Sequence, residues 1–481
     1  MGRFRRTEFR VPEQGSHSKQ CRCVDLNRRH FIAVGAAAFG AAFLAACSTD
    51  DTSTAESSPP AQPQRPPETL FRNVRILDVR AGRLGDPTDV MVRGNLIAAI
   101  GTGQPAVPGA KIIDGRGRTL MPGLIDNHVH LVFGSATMDD LNDASKDTEF
   151  YARAALTSAD QMLQRGFTSV RDVGGPIFPL KAAIDRGKAR GPRVWPSGAI
   201  ISQTSGHGDF RGPTEKSRRF TGKQSRAEEI GATFIVDGRD EVLTAARENL
   251  RMGASQLKVM AGGGTSSAYD PIDVTQFTLD EMRAAVEAAS DWNTYVTVHA
   301  YTPRAVRRAV EAGVACVEHG QLLDDATLQL LAERQVWLSG QYLVPSTDAM
   351  APERREKRKA VVEGNSRVWP AAKRLGLKLA WGTDFLFEPA ENPKQNSMLL
   401  SLREWFSSAE LLRLATLDNA ALLGLSGPRS PYAGVLGVVE ANALADLILV
   451  NGDPLAQIDL IADPGKNFDV IMKDGIVYKG Q

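Results

Sequence analysis

Cysteine is scarce: four in 481 residues, too few for a disulfide framework to carry the fold. Aromatic residues make up only 6% of the chain. The apolar stretch Phe31–Ala46 stops at sixteen residues, short of the roughly 20 that a bilayer-crossing helix needs. Neither sign of charge dominates. With 57 Lys and Arg against 56 Asp and Glu the net charge is +1, which excludes the strong basic field of a dedicated nucleic-acid binder. What is present is globular: 42% hydrophobic and 23% charged residues, with 44 Gly and 26 Pro. That is ample apolar material for a core with many turns, so wholesale disorder and collagen-like structure are excluded. The length suits a large barrel with an attached module, or two to three ordinary domains, and no 20–50-residue repeat is visible.

The charge is unevenly spread. Residues 1–46 hold eight Lys and Arg against three Asp and Glu, a leader of +5, and the remainder, at 49 against 53, is −4. Arg28-Arg29 stands directly before the apolar run, which ends in Leu44-Ala45-Ala46-Cys47. This order resembles a twin-arginine export signal closed by a bacterial lipobox. The resemblance implies that Cys47 becomes the acylated first residue of an exported protein, lipid-anchored in the cell envelope (periplasm). Cys21 and Cys23 would leave with the leader, so that Cys316 remains alone with no disulfide to form. Residues 47–67 are polar and Pro-rich and read as a disordered tether.

From Glu68 to Thr119, β-rich runs alternate with turn pairs such as Gly94-Asn95 and Asp114-Gly115. The last fifty residues repeat the pattern, with a hairpin expected at Val470–Met472, Asp474-Gly475 and Ile476–Tyr478. Between them, strand-like and helical runs alternate. Eight strands are expected: Leu124–Val129, Ser169–Asp172, Val194–Gly198, Leu257–Met260, Tyr295–His299, Ala315–Glu318, Val336–Ser339 and Leu377–Trp381. Thr278 with Glu281 predicts a capping box. Thr302, Pro303 and Gly313 predict the cap, first position and end of another helix. The expected fold is α/β: a (β/α)8 TIM barrel at 120–431 with a small β-sandwich built from both chain ends, 68–119 and 432–481.

Five histidines lie beyond the leader, all at or just past predicted strand C-termini, the face on which barrels build active sites. His128 and His130 stand two apart, which on a strand points both imidazoles one way, a ready metal claw. His299 and His319 each end an apolar run, where a satisfied core histidine is the plain alternative. Asp384 follows Leu377–Trp381, where a helix cap is the alternative. Lys258 sits inside the apolar run Leu257–Met260, a costly place for a charge without a partner.

Taken in order, Met121-Pro122-Gly123-Leu124-Ile125-Asp126-Asn127-His128-Val129-His130, Gln256-Leu257-Lys258-Val259-Met260, His299-Ala300-Tyr301, Glu318-His319-Gly320 and Gly382-Thr383-Asp384 resemble the amidohydrolase superfamily. The likeness is closest to the branch of metal-dependent Xaa-Pro dipeptidases and carboxypeptidase-like hydrolases, with imidazolonepropionases more distant. The resemblance implies two divalent metal ions, zinc first with manganese and cobalt open. His128, His130 and Asp384 would hold one ion and His299 and His319 the other. N-carboxylated Lys258 would bridge the two, and a shared hydroxide would be the nucleophile. Asp384 would then shuttle the proton, His207 would stabilise the oxyanion, and Tyr301 would contact the substrate's carboxylate. The implied partner is a small dipeptide or N-acyl amino acid, with Xaa-Pro among the candidates. A non-peptide or cyclic amide is the alternative. Imidazolonepropionase activity itself fits less well, because that family lacks the bridging lysine. A non-catalytic metal- or solute-binding lipoprotein predicts a missing ligand, and all six positions are filled. No nucleic-acid partner is implied, contact with membrane is through Cys47 alone, and homo-oligomerisation is left open.

Three other features read more plainly. Gly262-Gly263-Gly264 lacks the ending of a phosphate loop and reads as a tight strand–helix turn. Arg354-Arg355-Glu356-Lys357-Arg358-Lys359 reads as a solvated helix face. The polar stretch 209–231 is long for a barrel loop and reads as a lid, with Arg211, Arg218 and Arg219 as candidate carboxylate binders.

Overall fold

The computed structural model describes residues 68–267, 269–345 and 352–480. The leader, Cys47 and the tether 47–67 lie outside the described residues. Among the described residues no helix is long and apolar enough to cross a membrane.

Both chain ends build one sheet. Strands Glu68–Asp78, Arg83–Arg93, Leu96–Ile100, Lys111–Asp114 and Thr119–Pro122 join Leu447–Val450, Phe468–Lys473 and Ile476–Lys479 in an eight-stranded sheet. The seam is the antiparallel pairing of Leu120 with Leu449 and Met121 with Ile448. Where a sandwich is expected, the hydrogen bonding runs as one sheet through the long strand Glu68–Asp78. A bulge between Phe71 and Val74 bends that strand. It pairs with Lys111–Asp114 before the bulge and with Thr119 and Leu120 after it. The C-terminal hairpin forms as expected, Met472 facing Val477.

The interior is parallel α/β. Leu124–Val129, Phe167–Asp172 and Arg193–Pro196 form one three-stranded sheet. A seven-stranded sheet runs in the order Thr233–Ile235, Ile200–Ser202, Leu257–Met260, Val296–Ala300, Cys316–His319, Trp337–Gly340, Leu379–Trp381. Ile200–Ser202 and Thr233–Ile235 were not expected; three residues are too few to show a period. Side chains knit the two sheets at both edges. The Asn419 amide donates to Ile125 O (2.7 Å) and Trp381 O (2.9 Å), and the Gln256 amide donates to Trp195 O (3.1 Å). Most of these strands are buried along their whole length, as parallel strands covered on both faces must be.

The helices begin where their caps dictate. Thr278 and Glu281 close both bonds of the capping box ahead of Leu279–Asp291. Pro303 opens Pro303–Ala312, and Gly313 ends it at φ +99°. Thr302 holds the cap position of that helix without a side-chain bond.

Candidate active site

The ends of these strands bring five of the predicted side chains into one buried cluster. His128 Nε2 lies 3.1 Å from Asp384 Oδ1, and His130 Nε2 lies 3.3 Å from the same oxygen. His319 Nδ1 is 3.9 Å from Asp384 Oδ2. Lys258 Nζ stands 3.3 Å from His128 Nε2. His299 is close but turned: its ring is 4.4 Å from that of His319, while its Nε2 is hydrogen-bonded to Gly263 O at 3.0 Å. Two of these residues are backbone outliers, His319 at φ +76° and Asp384 at φ +56°. Left-handed backbone is uncommon for side-chain-bearing residues and gathers at functional sites. Here it lies on two of the five cluster members.

Burial sets the charge state of the cluster. It pushes the pKa of His130 below the ordinary imidazole value, and those of His299 and His319 well below it. Desolvation favours the uncharged ring, so these rings keep their lone pairs. Burial likewise lowers the Lys258 amine, against the pull of Glu318 and Asp384. Burial would raise the Asp384 carboxyl, but His128 and the other imidazoles outweigh it and hold the group well below the carboxylate range. Neutral imidazoles around an ionised carboxylate are the donor set of a divalent transition metal. The ligand atoms of His128, His319 and Asp384 lie within 4.8 Å of one another. His319 Nδ1 is buried with no hydrogen-bond partner, which leaves it free to ligate. The residues fit a metal.

Sequence reasoning missed the residues that aim these donors. Glu318 Oε2 is 2.8 Å from His128 Nδ1, and its Oε1 is 2.5 Å from Arg171 Nη2. All three are buried. This contact leaves His128 Nε2 to face Lys258 and Asp384. Arg171 and His128 hold Glu318 well below the carboxylate range in spite of its burial. Asp126 accepts from the backbone of His128 and Thr383 and from the Thr383 hydroxyl at 2.7 Å, fixing Asp384 against the strand that carries the histidines. Glu318 is the inward polar residue of Cys316–His319, and its place beside His319 was the signal available.

His207 stacks on His299 with ring centroids 4.1 Å apart. Its Nδ1 meets Ser267 Oγ at 2.5 Å and Asp270 Oδ2 at 3.3 Å. Tyr301 lies 5.0 Å from both the His299 and His319 rings. The triple glycine is more than a turn. A Cβ on Gly264 would stand 2.0 Å from the His207 ring, and one on Gly382 would stand 2.4 Å from His128 N. Only glycine admits these approaches.

Two surface readings change. The segment 209–231 carries the short helices Arg218–Thr221 and Arg226–Glu229, and its arginines are committed to acids of its own neighbourhood. Arg211 pairs with Asp209 at 2.5 Å, Arg218 with Glu241 at 3.2 Å, and Arg219 with Glu241 at 3.5 Å. The basic run on helix Pro352–Arg374 is a solvated face only in part: Glu356 and Lys359 are exposed, while Arg354, Lys357 and Arg358 turn inward. Lys357 Nζ donates to Ser267 O and Asp270 O at 2.9 and 2.6 Å, while Arg354 and Arg358 line a cleft together with Asp384. Helical spacing puts residues 354 and 358 on one side, and tertiary contact, invisible in the local charge pattern, decides which way that side faces.

Residues 119–478 match the model of the amidohydrolase family. The chain is 30% identical over 376 residues to ochratoxinase of Aspergillus niger, covering 75% of this chain and 76% of that one. A crystal structure of a prolidase complexed with N-methylphosphonate-L-proline superimposes with a TM-score of 0.78 at 34% identity, covering 86% of this chain and all of the other. A Xaa-Pro dipeptidase with methionine in its active site gives 0.72 at 29% identity over 86% of this chain and all of the other. The chain belongs to the amidohydrolase family and is a hydrolase acting on carbon–nitrogen bonds.

Proposed function

We propose that the protein is a binuclear-metal amidase or peptidase cleaving small carboxylate-bearing amides: dipeptides, Xaa-Pro among them, or N-acyl amino acids. The observation that carries this reading is the buried convergence of His128, His130, Lys258, His319 and Asp384. The likeness to a prolidase and a Xaa-Pro dipeptidase supports the substrate class. In this reading the parallel strands close as a (β/α)8 barrel capped by a β-sandwich, and residues 1–46 export a protein anchored at Cys47.

His128, His130, His299, His319 and Asp384 would hold the ions, zinc by the donor chemistry. Lys258 joins them as an N-carboxylated lysine. Burial favours its neutral amine, which adds carbon dioxide and releases a proton. Bound divalent ions lower the pKa of water to roughly 7 and polarise a carbonyl. The chain's own residues do the rest. Asp384 accepts the proton of the attacking water and delivers it to the leaving nitrogen. His207, held at Nδ1 by Ser267 and Asp270, offers its remaining ring nitrogen to the developing oxyanion. Tyr301 walls the site beside His299 and His319.

The test is a library of dipeptides and N-acyl amino acids offered to metal-loaded protein. Turnover that requires the free carboxylate supports the reading, and turnover indifferent to it overturns the peptidase assignment. The likeness to ochratoxinase favours a second arm of the library, made of non-peptide amides.

A further inference from the structure

Beyond the cluster, the cleft that ends on Thr383 and Asp384 is walled by Arg354, Arg358 and Glu388. Each guanidinium is aimed from behind by a backbone carbonyl. Arg354 Nε donates to Thr265 O at 3.2 Å, and Arg358 Nε donates to Val344 O at 2.9 Å. Their outer nitrogens converge on one oxygen, with Glu388 Oε1 3.9 Å from Arg354 Nη2 and 3.5 Å from Arg358 Nη1. Neither arginine is freely solvated, with side chains 26% and 12% exposed. The other carboxylate on this wall, Glu391, is engaged by Lys394 at 2.8 Å. Among the described residues, these two partly buried cations meet one carboxylate, Glu388, within 4 Å, and Asp384 lies at the end of the same cleft. Uncompensated charge in such a place is costly, and a second carboxylate would relieve it. Thr265, whose carbonyl accepts from Arg354, lines the same cleft as Asp384.

We propose that Arg354 and Arg358 form the subsite for a substrate carboxylate, which enters the cleft beside Glu388 and fixes the scissile amide over Asp384. This inference rests on the hydrolase reading above and adds the groups that select the substrate. A planar guanidinium pair suits a carboxylate better than any neutral end group. The carboxylate is either the free α-carboxylate of the released amino acid or one on its side chain, and the two are separable by experiment.

The experiment uses the metal-loaded full protein and four probes: N-acetyl-L-leucine, N-acetyl-L-glutamate, and the α-amide of each. Steady-state kinetics are measured for the wild type, Arg358→Lys and Arg354→Met. Arg358→Lys keeps the charge and loses the fork, so it guards against misfolding, which retained metal content also reports. Both variants are expected to lower kcat/KM by about ten- to a hundredfold, through KM, for probes whose carboxylate occupies the subsite. Probes without that carboxylate should be unaffected. Loss on both α-acids identifies the α-carboxylate, and loss confined to the glutamate pair identifies the side chain. Equal effects on all four probes, or unchanged KM throughout, overturn the proposal. Melting temperature with leucine, glutamate and their amides gives a readout independent of turnover. If the wild type cleaves no probe yet is stabilised by the acids alone, and the variants are not, the subsite stands and the peptidase reading falls. If leucine, glutamate and both their α-amides shift the melt alike, the subsite falls.

Discussion

Among the described residues, two lysines are buried in very different company. Lys473 lies in the terminal sheet and Lys258 in the parallel interior, and both are nearly inaccessible to solvent. Burial lowers both amines. Lys473 falls to about 8, pushed further by Arg193 and held up by Asp446 and Asp474. It also sits over the Tyr478 ring at 5.9 Å. Lys258 instead faces His128 at 3.3 Å in a cluster of imidazoles, with Glu318 already bound to Arg171. The desolvation is the same, and the surroundings turn it into different uses. Lys473 is a buried cation held by the acids of the terminal sheet, while burial lowers the Lys258 amine among candidate metal donors. Buried charge alone does not mark a site; the neighbours decide.

Changing each lysine sharpens that contrast. Lys258→Ala is expected to lose roughly a thousandfold in turnover together with metal occupancy, partly rescued by added short carboxylic acids. Full activity without rescue would contradict the carbamate. Glu318→Gln, which weakens the hold on His128, should reduce metal affinity by about ten- to a hundredfold, read by competition with a chelator. Unchanged affinity would make Glu318 a purely structural partner of Arg171.

Lys473→Met should leave turnover unchanged and raise stability at pH 7 by on the order of 1–3 kcal/mol, because Asp446 and Asp474 keep Arg193 at 3.0 and 2.8 Å. The sign follows from the shift. The folded pKa of about 8 lies below the ordinary 10.5, so the unfolded chain binds more protons between those values and wild-type stability rises with pH across them. The variant's advantage should shrink across that window, as melting temperatures against pH would show. Smallest, Thr278→Ala should cost about 1 kcal/mol through its capping box, read as a lower denaturation midpoint with unchanged turnover.

Strand-borne residues were legible because period and position act together. His128 and His130 alternate on one strand, and Lys258 stands out against its apolar neighbours. Glu318 and Asp126 were in view within the same motifs, but nothing local says that a carboxylate pairs with an arginine 147 positions away. Arg354 and Arg358 were hidden by an ordinary charge run, since only the packing of helix Pro352–Arg374 turns them inward. Two of the three-residue strands, Ile200–Ser202 and Thr233–Ile235, escaped for lack of a readable pattern. Asp384's left-handed backbone has no sequence signal of its own beyond Gly382 two places earlier.

The most direct test counts metal in active protein. Elemental analysis of the purified chain should find two equivalents of a divalent transition metal, falling in Lys258→Ala, with turnover following occupancy as chelator removes the ions and added metal restores them. Protein that keeps full amidase activity with no stoichiometric metal after chelation would contradict the account.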